Sequence, residues 1–132
     1  MNRGKVNEMK SNFENFGDFL QKKRTEKRIT LRKMAELLGI TAPYLTDIEK
    51  DRRNPPEKEK LEQISEILSL SDEDKTTMYD LAGKKRNSVA PDLPDYIMEH
   101  NYVSTALRTA RDLDASEEDW LKFVEELRKR KG

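Results

Sequence analysis

The stretch Gly39-Ile-Thr-Ala-Pro-Tyr-Leu-Thr-Asp-Ile-Glu-Lys-Asp-Arg-Arg-Asn-Pro55 decides the fold. Just before it, Thr30-Leu-Arg-Lys-Met-Ala-Glu-Leu-Leu38 sets Leu31, Met34, Ala35 and Leu38 on one helical face, by steps of 3, 1 and 3. Gly39 stands where that helix must stop and where the backbone needs a positive φ. Ile40 can enter the core at the turn, and Thr41 is suited to cap the next helix. Pro43 falls in a first helical turn, where its missing N–H costs nothing. Tyr44, Leu45 and Ile48 continue at helical spacing, and Asp51 to Pro56 is a polar loop ended by proline. Two short helices across a tight glycine turn have the shape that the DNA major groove accepts.

The segment from about Phe16 to Leu70 resembles the Cro/C1-type helix-turn-helix of the Xre family of bacterial and phage regulators. The residues that carry the likeness are Ala35, Gly39, the Pro43-Tyr44-Leu45…Ile48-Glu49 helix and the Arg52-Arg53-Asn54-Pro55-Pro56 exit. The resemblance implies an all-α, five-helix lambda-repressor-like domain that binds DNA. One position departs from it. The second helix in this family often opens with a glutamine that braces phosphate, and Leu31 stands there, which leaves Arg32 or Lys33 as replacements.

Leu45 and Ile48 are expected in the core. Thr41, Ala42, Pro43, Tyr44, Thr46, Asp47 and Lys50 are the candidates for the DNA-facing side. Small residues there suit contact with a thymine methyl group, and Tyr44 can reach phosphate or a base edge. Asp47 can accept from a cytosine amino group or simply repel phosphate. By the resemblance, Arg52 and Arg53 contact the backbone. Lys22, Lys23, Arg24, Lys27 and Arg28 line the polar side of the first helix as a weaker set, whose plain reading is a solvated face.

The charge balance hides an asymmetry. Residues 1–58 carry 14 basic and 9 acidic side chains, net +5, while residues 59–132 carry 12 and 17, net −5. A basic first half suits phosphate. With 34% hydrophobic and 39% charged residues, the core must be thin and shared among amphipathic helices. The chain has no cysteine, so no disulfide or thiolate metal site is expected, and a cytoplasmic setting is compatible. A single histidine, His100, argues against nucleophile–base pairs and multi-histidine metal sites, so no catalytic residue, metal or cofactor is expected. His100 itself reads as a surface or helix-capping residue. No apolar run is long enough to span a membrane. Residues 1–12 lack the apolar core of a secretory signal and read as a disordered lead-in, with Met9 as a second candidate start.

Other helices are placed by spacing. The first runs from about Phe13 or Asn15 to Lys27, with Phe13, Phe16, Phe19 and Leu20 inward. The fourth spans about Glu57 to Leu68 and buries Leu61, Ile64, Ile67 and Leu68. Ser71 with Asp74 caps a fifth, which buries Met78, Leu81 and Ala82 and is expected to end at Gly83. The domain is thus expected over residues 13–83, with a linker over 84–91 and a helical segment over 92–132. In the linker, Lys84, Lys85 and Arg86 read either as solvation or as a further phosphate clamp.

In the last segment, Pro94 opens a short helix to Glu99. Tyr102, Val103, Ala106, Leu107 and Ala110 make the next apolar face. Ser116 with Asp119 forms a capping box for a final helix carrying Trp120, Leu121, Phe123, Val124 and Leu127. A segment of about 40 residues is too short to bury that stripe alone. Packing against a second copy is expected, with Tyr102, Leu107, Trp120, Phe123, Val124 and Leu127 at the interface. The run from Ala106 to Asp112 and from Ser116 to Lys129 also resembles the tails of Xre repressors paired with ImmA/IrrE-type zinc peptidases, which implies inactivation by C-terminal cleavage. The alternatives are an antitoxin, whose partner is a toxin, and a protein-interaction adaptor.

Overall fold

The computed structural model describes residues 13–131, with side chains through Arg130. The lead-in expected at residues 1–12 lies outside the described residues. Eight helices and no strand occur among the described residues, and the chain divides into two compact units at Pro94/Asp95. None of these helices is long and apolar enough to cross a membrane.

The first unit contains α1 (Phe16–Glu26), α2 (Leu31–Leu38), α3 (Ala42–Glu49), α4 (Lys58–Ile67) and α5 (Asp72–Arg86). Four of them start on a side-chain cap. The side-chain oxygens of Asn15, Thr30, Thr41 and Ser71 accept from the backbone N–H groups of Asp18, Lys33, Tyr44 and Asp74, at 2.8 to 3.2 Å. Each satisfies an N–H that the helix cannot.

The helix ends share a second device. A residue in the left-handed region lies just beyond the last turn: Arg28, Gly39, Asp51, Ser69 and Asn87, with φ between 49° and 69°. The next N–H then reaches back five residues, from Ile29 to Arg24, Ile40 to Ala35, Arg52 to Asp47, Leu70 to Ser65 and Ser88 to Gly83, at 2.8 to 3.2 Å. This arrangement pairs carbonyls that would otherwise be orphaned. At three of the ends the donor is Ile29, Ile40 or Leu70, whose apolar side chain joins the core or packs against it.

That core holds Phe16, Phe19 and Leu20 of α1, Met34, Ala35 and Leu38 of α2, and Leu45 and Ile48 of α3. Leu61 and Ile64 of α4 and Met78, Leu81 and Ala82 of α5 complete it with Leu68 and Leu70. Ile67, expected inside, is only partly buried at its margin. Gly17 permits the tightest approach, because a Cβ there would collide with the backbone carbonyls of Ile48 and Glu49.

The end expected at Gly83 is corrected. The helix continues to Arg86 and stops on Asn87, at φ 57°. Gly83 is buried inside the helix, where a Cβ would come within 2.8 Å of the Val89 carbonyl. The glycine is there for close packing, and Lys84 to Arg86 belong to α5 and not to a linker.

The second unit contains α6 (Pro94–Glu99, its first residue at the division), α7 (Asn101–Asp112) and α8 (Glu117–Lys131). Its last helix has the reciprocal capping box: Asp119 N–H donates to Ser116 Oγ at 3.1 Å, and Ser116 N–H donates to Asp119 Oδ2 at 2.9 Å. From Asp95 to Arg130 no residue is buried. His100 occupies the N-cap position of α7 but makes no side-chain cap bond. Its Nδ1 instead meets the Tyr102 hydroxyl at 3.0 Å, and its ring lies between those of Tyr96 and Tyr102.

Candidate nucleic-acid interface

The helix expected to enter DNA, α3, is anchored at both ends. At its start, Gly39 at φ 69° turns the chain so that Thr41 can cap it, and Pro43 occupies the first turn. At its end stands Glu49, which is 8% exposed and takes a two-pronged bond from Arg24 of α1. Arg24 Nε donates to Glu49 Oε2 at 2.7 Å and Nη2 to Oε1 at 2.9 Å, while Nη1 donates to the Ile29 carbonyl at 2.9 Å. The bond to Glu49 raises the guanidinium pKa above its ordinary value, against the opposing effect of burial. This bond fixes α3 relative to α1.

It also corrects one expectation. Arg24 is buried and committed to Glu49, so it is not part of a phosphate-facing surface. Lys22 pairs with Asp18 at 3.3 Å, and Lys23 with Asp74 at 3.1 Å. Lys27 and Arg28 remain exposed.

Of the residues expected on the DNA-facing side, Thr41, Pro43 and Lys50 are exposed. Ala42, Tyr44, Thr46 and Asp47 are half-buried instead, with Ala42 and Tyr44 packed against the core. The cause is the shortness of α3. In an eight-residue helix that buries Leu45, Ile48 and Glu49, the flanking positions share the shoulder of the contact. Arg32 and Lys33 are exposed on α2, where Lys33 pairs with Glu36 at 3.2 Å; Leu31 packs against the core.

A group forms around the α3 exit. Asp47 lies 3.5 Å from both Arg52 Nη1 and Arg53 Nε. The Arg53 guanidinium sits 5.3 Å from the centroid of the Tyr44 ring, within range of a cation–π contact. The Arg52 and Arg53 side chains remain 63% and 58% exposed, so these long pairs leave both free to meet an anion. The α5 end closes on the same loop from the other side. Lys85 Nζ reaches the Asp51 carbonyl and carboxylate at 3.2 and 3.1 Å, and Arg86 Nη2 reaches the Pro55 carbonyl at 2.6 Å and Glu57 at 3.3 Å. Tyr44, Arg52, Arg53, Asn54, Lys85 and Arg86 line a cleft of about 400 Å³.

Sequence reasoning had no means of placing Lys85 and Arg86 here, because 34 and 31 residues separate them from their carbonyl partners. The only signal was the basic run itself.

In the second unit, Tyr102, Leu107, Trp120, Phe123, Val124 and Leu127 are all exposed, between 38% and 66%. The Trp120 and Phe123 rings meet edge to face at 6.3 Å. Leu107, Ala110, Arg111, Asp114, Ala115 and Trp120 line a shallow depression of about 330 Å³.

Residues 20–74 match a family model described as helix-turn-helix. No curated protein sequence matches the chain. Among solved structures, a chain of a SinR protein/SinI protein complex aligns at 22% identity over 88% of this chain and 97% of that one, with a TM-score of 0.44. The matched model and the capped α2–Gly39–α3 pair mark residues 20–74 as a helix-turn-helix domain.

Proposed function

We propose that this chain is a sequence-specific repressor that binds a palindromic operator as a homodimer, with α3 as its recognition helix. One observation carries the reading. A helix capped at Thr41 and fixed through Glu49 is followed, after Lys50 and Asp51, by two exposed arginines, which gives a base-reading element with a phosphate contact beside it. The residues assigned to DNA are Arg32, Lys33, Thr41, Ala42, Pro43, Tyr44, Thr46, Asp47, Lys50, Arg52 and Arg53. Exposed Pro43 and Lys50 and the edge of Tyr44 are assigned nearest the bases. DNA as target implies a cytoplasmic setting.

The dimer is assigned to the second unit. Its exposed stripe of Tyr102, Leu107, Trp120, Phe123, Val124 and Leu127, with no buried residue around it, supports pairing with a second copy. The peptidase partner rests on the sequence resemblance and the toxin partner on the alternative antitoxin reading, and neither gains anything from the geometry.

Selection of binding sites from random duplexes, with footprinting of the selected sites, tests the proposal. The expected result is two half-sites related by a two-fold axis, about 10 bp apart or a multiple of it. Saturation by one protomer on a single asymmetric half-site would rule the dimeric reading out.

A further inference from the structure

We propose that the cleft between the α3 exit and the last turn of α5 is a phosphate-binding site, in which Lys85 and Arg86 join Arg52 and Arg53 on neighbouring phosphates of the DNA backbone. This inference rests on the DNA-binding reading and extends it to a helix outside the helix-turn-helix pair.

The lining is the first argument. Of the six residues around the cleft, four are cations and the other two, Tyr44 and Asn54, can donate hydrogen bonds. Among the described residues no carboxylate lines it. Asp47, Asp51 and Glu57 each hold one or two of the cations, and none of the three is part of the wall.

Preorganisation is the second. Cations in a last helical turn are often explained by the helix dipole alone, which asks only that they lie near the terminal carbonyls. Lys85 and Arg86 do more, because both reach across to the exit loop and bind its carbonyls at 3.2 and 2.6 Å. Their side chains are 30% and 31% exposed, about half the values for Arg52 and Arg53. Much of the entropic cost of holding them is therefore met before DNA arrives. Neither exhausts its donors. An ammonium has three N–H groups and a guanidinium five, and Lys85 and Arg86 each have two acceptors within reach.

The third argument is position. Tyr44 belongs both to the cleft wall and to the first turns of α3, so the pocket opens beside the recognition helix. A helix lying in the major groove is flanked by backbone phosphates at that distance.

The test uses the full chain with a 20-bp mixed-sequence duplex, titrated by fluorescence anisotropy between 50 and 200 mM NaCl. Lys85→Gln keeps a donor for the Asp51 carbonyl while removing the charge, and Arg86→Gln does the same for Pro55. Each is expected to lower the slope of log K against log salt by about 0.9, and to weaken binding roughly fivefold near 0.15 M salt. Lys85→Arg should retain the wild-type slope, and so should Lys122→Gln on α8. Lower affinity with an unchanged slope in both glutamine variants would make Lys85 and Arg86 braces of the loop and overturn the proposal; unchanged affinity and slope would overturn it too. A wild-type chain with no salt-dependent affinity for duplex DNA would defeat the DNA-binding reading itself, a result distinct from either.

Discussion

The two units solve the problem of a thin apolar supply in opposite ways. The first draws fifteen apolar side chains into one core, thirteen from its five short helices and two, Leu68 and Leu70, from the turn after α4, and every buried side-chain nitrogen or oxygen among the described residues has a partner. The second caps α8 as firmly as any of these, yet from Asp95 to Arg130 none of its residues is buried. Local signals and burial are separable. A capping box and a favourable charge order can specify a helix, but only apolar contact can hold it against the entropy of ordering. A unit with the first and without the second leaves its apolar stripe exposed, as the proposed dimer requires.

The strongest way to break this contrast is at the buried ion pair of the first unit. Glu49→Ala leaves Arg24 charged, 8% exposed and without its carboxylate. A loss of about 3–5 kcal/mol is expected in urea denaturation. Replacing both partners, as Arg24→Met with Glu49→Leu, should recover most of it, since two apolar groups of similar volume need no pairing. A single-variant loss below about 1 kcal/mol would show that water reaches the pair and that the unit is looser than its burial implies.

Next in size is the outward face of the second unit. Trp120→Ala, which removes a large ring from the exposed stripe, is expected to cost dimerisation about 2 kcal/mol or more, as central aromatic anchors do. Sedimentation should show monomer at concentrations where the wild type is paired, while the melting of the first unit stays put. If the variant remains dimeric, the stripe faces something other than a second copy.

A smaller effect separates base reading from backbone contact. Arg52→Ala and Arg53→Ala should each reduce the salt slope of DNA binding by about one unit and weaken all sequences alike. Changing Pro43 or Lys50 should instead shift which sequence is preferred. Because Asp47 faces both arginines at 3.5 Å, Asp47→Asn should tighten binding to mixed-sequence duplex slightly, and weaker binding would mean that it orders the arginines for DNA.

Helix starts were legible in the residues themselves: Thr41, Ser71 and Ser116 are cap residues whose signal is local, and each forms its cap. Of the left-handed helix ends, only the one at Gly39 was. Arg28, Asp51, Ser69 and Asn87 adopt a left-handed backbone without being glycine, because the bond made by the next N–H outweighs the local preference. Gly83 misled for the converse reason, being selected by the Val89 backbone packed against it and not by a turn. Arg24 looked like one more surface cation because its partner is 25 residues away. The exit cleft was legible by half: Arg52 and Arg53 adjoin the recognition helix in sequence, whereas Lys85 and Arg86 reach it only through the fold.

The smallest expected effect falls on the cap of α8, where local specification acts without burial. Bonds from the Ser116 backbone and side chain hold the Asp119 carboxyl below its ordinary pKa. A carboxylate with a depressed folded-state pKa adds stability above its unfolded value of about 3.9, and this is lost as pH falls through the folded value. Near neutral pH the box is therefore intact, and acidification below about pH 4 should fray the first turn of α8. Protection of the Ser116 amide, relative to its intrinsic exchange rate, should fall over that window by NMR, and Asp119→Asn should remove most of the pH dependence while keeping an acceptor in place. Core amides of α1 and α3 should not track the same curve. If they lose protection together with Ser116, the two units unfold as one, and the contrast between a self-sufficient unit and an outward-facing one would fail.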